Sequence, residues 1–122
     1  MKPLIFVTAD SCRVRLERLT QLLVSAFPGS TIYQHTDFCL VPHDVLNHKV
    51  DAVFLEAETD LADGLDFMKL LHRQKPDVPV FILSKSEELC RKAEQAGASG
   101  CFVLPVVEQQ LLDAVPMVKQ GE

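Results

Sequence analysis

The sequence predicts an α/β fold with a doubly wound, five-stranded parallel sheet covered by helices on both faces. Two observations predict it. Five short apolar segments lack the alternation that would give a solvated face, which is typical of strands buried on both sides. Segments with helical periodicity separate them, and this alternation is typical of right-handed βαβ units. We expect a single domain over residues 1–122, long enough to bury its own core.

The first half of the chain predicts three strands and two helices. The strands are Leu4–Val7, Thr31–His35 and Val50–Leu55. After the first strand, Asp10 or Ser11 can cap a helix with leucines at helical spacing, and Pro28-Gly29 ends that helix. Residues 37–49 give the weakest pattern, in which Pro42 can begin a short helix.

The second half predicts two strands and three helices. The strands are Val78–Leu83 and Cys101–Leu104, and the helices are Leu65–Arg73, Glu87–Ala96 and Glu108–Val115. Gly97 is a natural C′ residue for the second of these helices. Pro116 cannot continue a helix comfortably, so we expect it to end the last one.

Composition argues against several classes of function. The net charge is −5 and the chain has no Lys/Arg block, which disfavours binding of nucleic acid or of an anionic membrane surface. No apolar segment approaches the length of a membrane span, and the segment before Thr8 is too short for a signal peptide. We therefore expect a cytoplasmic protein.

The cysteines and histidines give no metal-binding pattern. Cys12, Cys39, Cys90 and Cys101 are scattered without a Cys-x-x-Cys motif. This predicts reduced, mostly buried thiols rather than a disulfide framework or a zinc site. His35, His43, His48 and His72 share no helical or strand face that would gather metal ligands, so we expect surface or half-buried histidines.

Glu56 is the centre of the predicted functional edge. It follows the central apolar strand directly, and open α/β sheets place their chemistry at the carboxyl ends of the strands. The other turns expected at this edge are Thr8-Ala9-Asp10, Ser84-Lys85-Ser86 and Leu104-Pro105.

Five segments together carry a resemblance to a known family: Val50–Leu55, Asp63-Gly64-Leu65, Pro76–Ser84, Gly97–Gly100 and Val103-Leu104-Pro105. In this order and spacing, the chain resembles the CheY-like receiver domain of two-component response regulators. In that family an aspartate accepts a phosphoryl group from a histidine kinase. The resemblance covers nearly the whole chain and implies a flavodoxin-like (βα)5 fold with strand order 2-1-3-4-5. It also implies that the chain can be the N-terminal domain of a longer response regulator.

The resemblance assigns positions in this chain to the parts that phosphoryl transfer needs. The phosphoacceptor falls at Glu56, the hydroxyl that contacts the phosphoryl group at Ser84, the conserved lysine at Leu104, and the rotating aromatic residue at Cys101. The acidic magnesium pair falls at Thr8 and Ala9 or, one residue later, at Ala9 and Asp10, and the helix that follows leaves both registers open. The family's peptide bond before the proline matching Pro105 is usually cis, and we expect the same here.

Only the hydroxyl at Ser84 clearly matches the family's chemistry. Magnesium prefers clustered carboxylate oxygens, and little here would neutralise the charge on a transferring phosphoryl group. We therefore predict an atypical member, a pseudo-receiver that is not an enzyme, requires no cofactor and has weak or lost Mg²⁺ binding.

The function that we favour is a phosphorylation-independent interaction or regulatory module. It would bind a protein partner, or itself, through the face made by the fourth helix, the fifth strand and the fifth helix. The polar rim of this face would consist of Glu87, Arg91, Glu94, Gln95, Gln109, Gln110 and Asp113. One alternative is a phosphoacceptor that uses Asp10 as its lone metal ligand and Asp60 as acceptor. The other is a flavodoxin-like small-ligand binder, although no glycine-rich phosphate loop is present.

Three positions leave two interpretations each. The Glu56 carboxylate can mimic a phosphorylated state by bonding to Ser84, or it can merely be a polar strand end. Lys85 can turn toward Glu56 or face solvent, where loop lysines usually lie. Cys101 can be a redox-sensitive thiol or a buried structural cysteine, which is the commoner case.

Overall fold

Strands and helices alternate along the whole chain. The computed structural model describes residues 3–57 and 61–120, with the backbone alone for residues 61–64 and 116–120. The strands are β1 (Ile5–Ala9), β2 (Thr31–His35), β3 (Ala52–Glu56), β4 (Val80–Ser84) and β5 (Gly100–Val103). The helices are α1 (Arg13–Ala26), α2 (Val41–Asn47), α3 (Leu61–Gln74), α4 (Glu87–Gln95) and α5 (Glu108–Gln120).

The five strands form one parallel sheet in the order β2-β1-β3-β4-β5. The predicted fold class and strand order are therefore confirmed. The order changes direction after β1, since β2 lies on one side of it and β3 on the other. This switch point is where a doubly wound sheet opens a crevice at the carboxyl ends of its strands.

Three strands reach further toward their carboxyl ends than the apolar pattern predicts, because polar residues remain in the hydrogen-bonded sheet. Ala9 pairs with His35 of β2 and with Leu55 of β3. Glu56, the last residue of β3, pairs with Leu83 of β4. The sheet therefore fixes the backbone of Glu56 directly.

Two helices are longer than predicted. α3 begins at Leu61 rather than Leu65 and includes Gly64, since a glycine inside a helix costs only about 1 kcal/mol. α5 continues through Pro116 to Gln120, so the expectation that this proline ends the helix is wrong. A proline removes one helical hydrogen bond and can bend a helix without ending it.

Gly97 is confirmed as the C′ residue of α4. It follows the C-cap Ala96 and has a φ of 112°, a left-handed conformation that glycine adopts without the strain of a Cβ. The expected cap of α1 is not confirmed, because its N-cap residue is Cys12, which makes no side-chain capping bond.

The core has two parts, one on each face of the sheet. One packs under α2, α3 and α4 and contains Val7, Val53, Leu55, Ile82, Val41, Met68, Leu71 and Ala93. The other packs under α1 and α5 and contains Phe6, Phe54, Phe81, Leu83, Phe102, Leu19, Leu23 and Leu111. Side chains of a strand alternate between faces, so Glu56 lies on the same face as Phe54, toward α1.

The face under α1 and α5 is built on a row of phenylalanine rings. Phe54 stacks on Phe81 with ring centroids 5.2 Å apart, and Phe81 stacks on Phe102 at 5.6 Å. Phe6 meets the edge of Phe54 at 5.9 Å. These rigid rings occupy the centre of this face of the sheet, and the polar residues lie at the carboxyl ends of the strands.

The expectation that all four cysteines are reduced thiols is contradicted. Cys90 of α4 and Cys101 of β5 form a disulfide, with their Cα atoms 5.2 Å apart, which is within the usual range for such a bond. Cys12 is half-buried and Cys39 exposed, and both carry free thiols. The pairing had no local signal, because it depends on α4 packing beside β5 rather than on a spacing motif.

Within the described residues, no helix combines the length and the apolar character that crossing a membrane requires.

Candidate functional site at the carboxyl edge of the sheet

Two carboxylates are buried at the carboxyl edge of the central strands. Asp10 follows β1 directly and is 3% exposed, and Glu56 at the end of β3 is 5% exposed. Carboxylates this deep in a protein are costly unless they are paired.

Arg15 is the cation that pairs with both. Its Nε lies 3.0 Å from Oδ2 of Asp10 and its Nη2 lies 3.0 Å from Oδ1, so the two side chains form a bidentate pair. The same Nη2 lies 3.7 Å from Oε1 of Glu56. A single guanidinium therefore bridges the two buried carboxylates, and its own side chain is 26% exposed. Bidentate pairs, in which a guanidinium donates two parallel hydrogen bonds to one carboxylate, are among the stronger ion pairs in proteins.

The start of α1 explains why Arg15 points to this edge. The helix has no acidic residue in its first turn, and a cation there is unfavourable to the helix dipole. Asp10 compensates, because its Oδ1 accepts a hydrogen bond from the backbone N–H of Cys12 at 2.8 Å while the carboxylate holds Arg15. Residues 10–15 thus form a local structure that directs the guanidinium of Arg15 toward β3.

The structure places the residues of both proposed registers of the acidic pair. Thr8 is fully buried in β1, and its Oγ1 has no hydrogen-bond partner among the described residues. Ala9 is buried and carries no polar group. Asp10 is the position of this turn that supplies a carboxylate beside Glu56, with Arg15 between them.

Ser84 and Lys85 lie at the end of the neighbouring strand β4. Ser84 is buried, and its Oγ accepts a hydrogen bond from the backbone N–H of Ser86 at 3.1 Å. Lys85 is exposed and lines the cavity described below. The two interpretations of Glu56, as a mimic of a phosphorylated state through a bond to Ser84 or as a polar strand end, remain alternative predictions.

Leu104 and Pro105 directly follow β5, the strand at the opposite end of the sheet from β2. The peptide bond between them is cis, as the resemblance implied. Beside them lies a cavity of about 260 Å³. It is lined by Asp10, Arg15, Arg18, Leu19, Leu83, Lys85, Leu104, Pro105 and Val106. Leucine at position 104 gives this cavity an apolar wall.

Cys101 lies away from this edge, inside the fifth strand, and is half-buried. Its sulfur is bonded to Cys90, so neither interpretation of a lone thiol at position 101 describes it. The disulfide ties α4 to β5 within the predicted docking face.

The face of α4, β5 and α5, which the sequence analysis predicts as a docking surface, carries polar residues at its rim. Seven residues of α4 and α5 are exposed: Glu87, Arg91, Glu94, Gln95, Gln109, Gln110 and Asp113. Gln109 Nε2 donates a hydrogen bond to Asp113 Oδ1 at 2.8 Å. These polar side chains are therefore open to solvent.

A magnesium ion at this edge would have to take its oxygen ligands from the polar residues that lie there. The ion needs several oxygen ligands in octahedral geometry, whereas the two carboxylates here hold a guanidinium between them. Among the described residues, no group of three or more His, Cys, Asp or Glu side chains is placed to hold a metal. Asp60, the alternative acceptor, lies outside the described residues.

The histidines are half-buried or exposed, as predicted. His35 at the end of β2 contacts the buried Asp44 of α2 through its Nε2, and His48 stacks on Tyr33 with ring centroids 4.5 Å apart. These contacts fasten α2 to the edge strand β2.

Sequence reasoning missed the part played by Arg15 and the cavity beside it. A signal for Arg15 was present: a cation in the first turn of a helix, five residues after an aspartate, calls for a compensating anion. The cavity had no such signal, since its lining residues come from three separate segments of the chain.

Comparison with protein families identifies the class. Residues 6–116 match the response regulator receiver domain, and the chain belongs to this family. It is thus a receiver domain of the kind found in response regulators of two-component signalling. No curated protein sequence matches the chain.

Solved structures show the same fold at low sequence identity. The receiver domain of the Francisella response regulator 1452 is 18% identical, with a TM-score of 0.80 over 99% of this chain and 100% of that one. A LuxR family DNA-binding response regulator from Silicibacter pomeroyi is 24% identical, with a TM-score of 0.79 over 98% and 93% of the two chains. The signal receiver domain of an HD domain-containing protein from Pseudomonas fluorescens Pf-5 is 24% identical, with a TM-score of 0.82 over 98% and 97%.

Proposed function

We propose that this receiver domain works without phosphorylation, as a protein-interaction or regulatory module. The observation that carries the proposal is the Arg15 guanidinium, which bridges Asp10 and Glu56 at the edge where the family accepts a phosphoryl group. In this arrangement the positive charge next to the carboxylates comes from the protein itself. A metal ion would have to displace a bidentate ion pair before it could bind.

The glutamate at position 56 is a second reason to propose that the domain works without phosphorylation. A glutamate carries its carboxylate one methylene further from the strand than an aspartate does. Here that carboxylate lies beside Arg15 rather than open to a phosphodonor, and it is 5% exposed. A phosphoryl group needs an in-line approach and cations that neutralise its developing charge. Leu104 supplies no such cation.

The module has no catalytic role in this proposal, and its Mg²⁺ affinity is weak or absent. Its output is a contact with a protein partner, or with a second copy, through α4, β5 and α5. The exposed polar rim and the Cys90–Cys101 link support this choice of face, because they give an open surface on a fixed backbone. A cytoplasmic location and an attached output domain remain predictions from the sequence and the resemblance.

The test is incubation with acetyl phosphate and Mg²⁺, followed by intact mass measurement. We expect no species heavier by one phosphoryl group. A phosphodonor-competent receiver domain of the same family, treated in parallel, shows that the reagents work.

A variant of the chain itself sharpens the test. The triple substitution Arg15→Met, Glu56→Asp and Leu104→Lys removes the bridging guanidinium and restores the family's acceptor and lysine. If Arg15, Glu56 and Leu104 are what prevents phosphorylation, this variant gains some phosphoryl mass while the wild-type chain gains none. A stable acyl phosphate on the wild-type chain, mapped to Asp60 or to any other side chain, would overturn the proposal in favour of an unusual phosphoacceptor.

A further inference from the structure

Helix α4 buries smaller side chains than the other helices do. Its buried residues are Cys90 and Ala93, and Leu89 is partly buried beside them. Each of the other helices buries at least one larger apolar side chain: Leu16 in α1, Val41 in α2, Met68 in α3 and Leu111 in α5. Packing of an apolar face supplies most of the stability of a short helix in a protein. The noncovalent attachment of α4 is therefore weak for its size.

The disulfide between Cys90 and Cys101 adds a covalent attachment at this place. Cys90 lies near the middle of α4, and Cys101 lies in β5, the last strand in the order of the sheet. One of the two buried side chains of α4 is thus bonded to the strand on which the helix packs. The position of α4 on β5 therefore depends on whether this bond is intact.

The surroundings of the two cysteines suit a bond that opens and closes within the folded domain. Cys101 is half-buried and is the more accessible of the two, whereas Cys90 is 5% exposed. Cys101 also packs against the core under α2, α3 and α4, and a free cysteine behaves as a small apolar residue. The fold can therefore hold both thiols after reduction. The sequence predicts a cytoplasmic protein, and disulfides of that compartment are mostly transient, catalytic or redox-sensing.

We propose that Cys90 and Cys101 are a redox-active pair, which exchanges with a thiol reductant and thereby controls how firmly α4 is held on β5. A thiolate of the reductant attacks the sulfur of Cys101, the bond to Cys90 breaks, and Cys90 leaves as a thiolate that takes a proton. A second reductant thiol attacks the reductant's own sulfur in the mixed disulfide and releases Cys101, which also becomes a thiol. Two electrons and two protons pass to the protein, and the reductant becomes a disulfide.

Two hydrogen bonds connect the start of α4 with the carboxyl edge of the sheet. Ser84 Oγ accepts a bond from the backbone N–H of Ser86 at 3.1 Å, and Ser86 Oγ accepts one from the backbone N–H of Leu89 at 3.2 Å. A change in the attachment of α4 can therefore reach the end of β4 as well as the docking face. The effect on partner binding rests on the proposed function, because it assumes that α4, β5 and α5 bind the partner. The exchange reaction and the release of α4 do not need that assumption.

The first test is a glutathione series on the Cys12→Ser, Cys39→Ser chain, in which Cys90 and Cys101 are the remaining cysteines. Oxidised and reduced samples are brought to equilibrium at neutral pH over a wide range of ratios of reduced to oxidised glutathione. N-ethylmaleimide in denaturant then labels free thiols, which intact mass counts. We expect a change from no label to two labels within the series, with the same midpoint from both starting samples. The wild-type chain, treated in parallel, shows whether the two serines alter that midpoint.

Hydrogen exchange of backbone amides shows what reduction changes in the structure. We expect the amides of α4 to exchange about tenfold faster or more in the reduced protein, at rates that hardly depend on low concentrations of urea, which indicates local opening. Amides of β1 and β3 report global unfolding and should keep a strong urea dependence. The variant Cys90→Ala, Cys101→Val keeps apolar side chains at both positions. It should show fast exchange in α4 at every glutathione ratio.

Three results would overturn the inference. A pair that stays oxidised at the most reducing ratio would be a permanent structural bond. A pair that takes two labels even in oxidised glutathione would form no disulfide. Exchange in α4 that rises only in step with β1 and β3, with the same urea dependence, would show that reduction weakens the whole fold and does not release α4. None of these measurements uses acetyl phosphate or a partner protein, so a failure here is distinguishable from a failure of the proposed function.

Discussion

Removal of the Arg15 side chain tests the guanidinium bridge directly. In Arg15→Ala, the carboxylates of Asp10 and Glu56 stay buried and lose the cation between them. Breaking a buried ion pair by deleting one partner costs about 3–5 kcal/mol. Arg15 is 26% exposed, so water screens part of the interaction, and exposed pairs are worth only about 0–1 kcal/mol. We therefore expect a loss of about 2–3 kcal/mol in the free energy of unfolding.

The assay is urea unfolding followed by circular dichroism, with the slope of the transition checked for a two-state change. Arg18→Ala is the matched control, because Arg18 is an exposed arginine of the same helix, and we expect a change within about 0.5 kcal/mol. Arg15→Lys keeps the charge but not the bidentate geometry, so its loss should lie between the two.

Two additions separate the charge effect from lost packing. Asp10→Asn in the Arg15→Ala background removes one of the two like charges, and we expect it to recover part of the lost stability, whereas the same change in the wild-type chain is destabilising. Mg²⁺ should stabilise Arg15→Ala, which lacks the guanidinium between the two carboxylates, more than the wild-type chain. If Arg15→Ala loses no more stability than Arg18→Ala, the bridge is not a significant interaction and our account of the site is wrong.

Three further predictions concern the fold. Reduction of the Cys90–Cys101 disulfide, which closes a loop with a sequence separation of 11, should lower the free energy of unfolding by up to about 3 kcal/mol, measured by urea unfolding with and without dithiothreitol. Ser86→Ala removes the side chain that caps α4 at 3.2 Å from the backbone N–H of Leu89, and should cost about 1 kcal/mol. Gly100→Ala places a Cβ 3.0 Å from the buried ring of Phe81, and should cost about 1–3 kcal/mol and lower the melting temperature.

Each of these predictions has a control within the chain. Without reductant, a maleimide should label Cys12 and Cys39 alone, and labelling of all four cysteines would show that the disulfide does not form. Ser11→Ala should be nearly silent, because Ser11 precedes the N-cap of α1 and is exposed. A Phe81→Leu background should reduce the cost of Gly100→Ala, and an unchanged cost would locate the strain elsewhere.

The sequence by itself determined the type and order of the elements. Apolar runs such as Val50–Leu55 and Val78–Leu83 have no solvated face, so they can be satisfied only inside a parallel sheet covered on both sides. The same local pattern placed Glu56 at the carboxyl end of the central strand. The absence of a lysine at position 104 was visible in the sequence too, once the family resemblance supplied the register.

The tertiary structure decided how the charges at that edge are compensated. Asp10 and Arg15 are close in sequence, but the contact of Arg15 with Glu56 exists only because α1 packs on the face of the sheet to which β3 directs that side chain. The Cys90–Cys101 bond depends in the same way on α4 lying beside β5. Periodicity specifies which face of an element is buried, whereas contacts between side chains of different elements depend on how those elements pack. The cavity beside Leu104 is likewise a product of that packing.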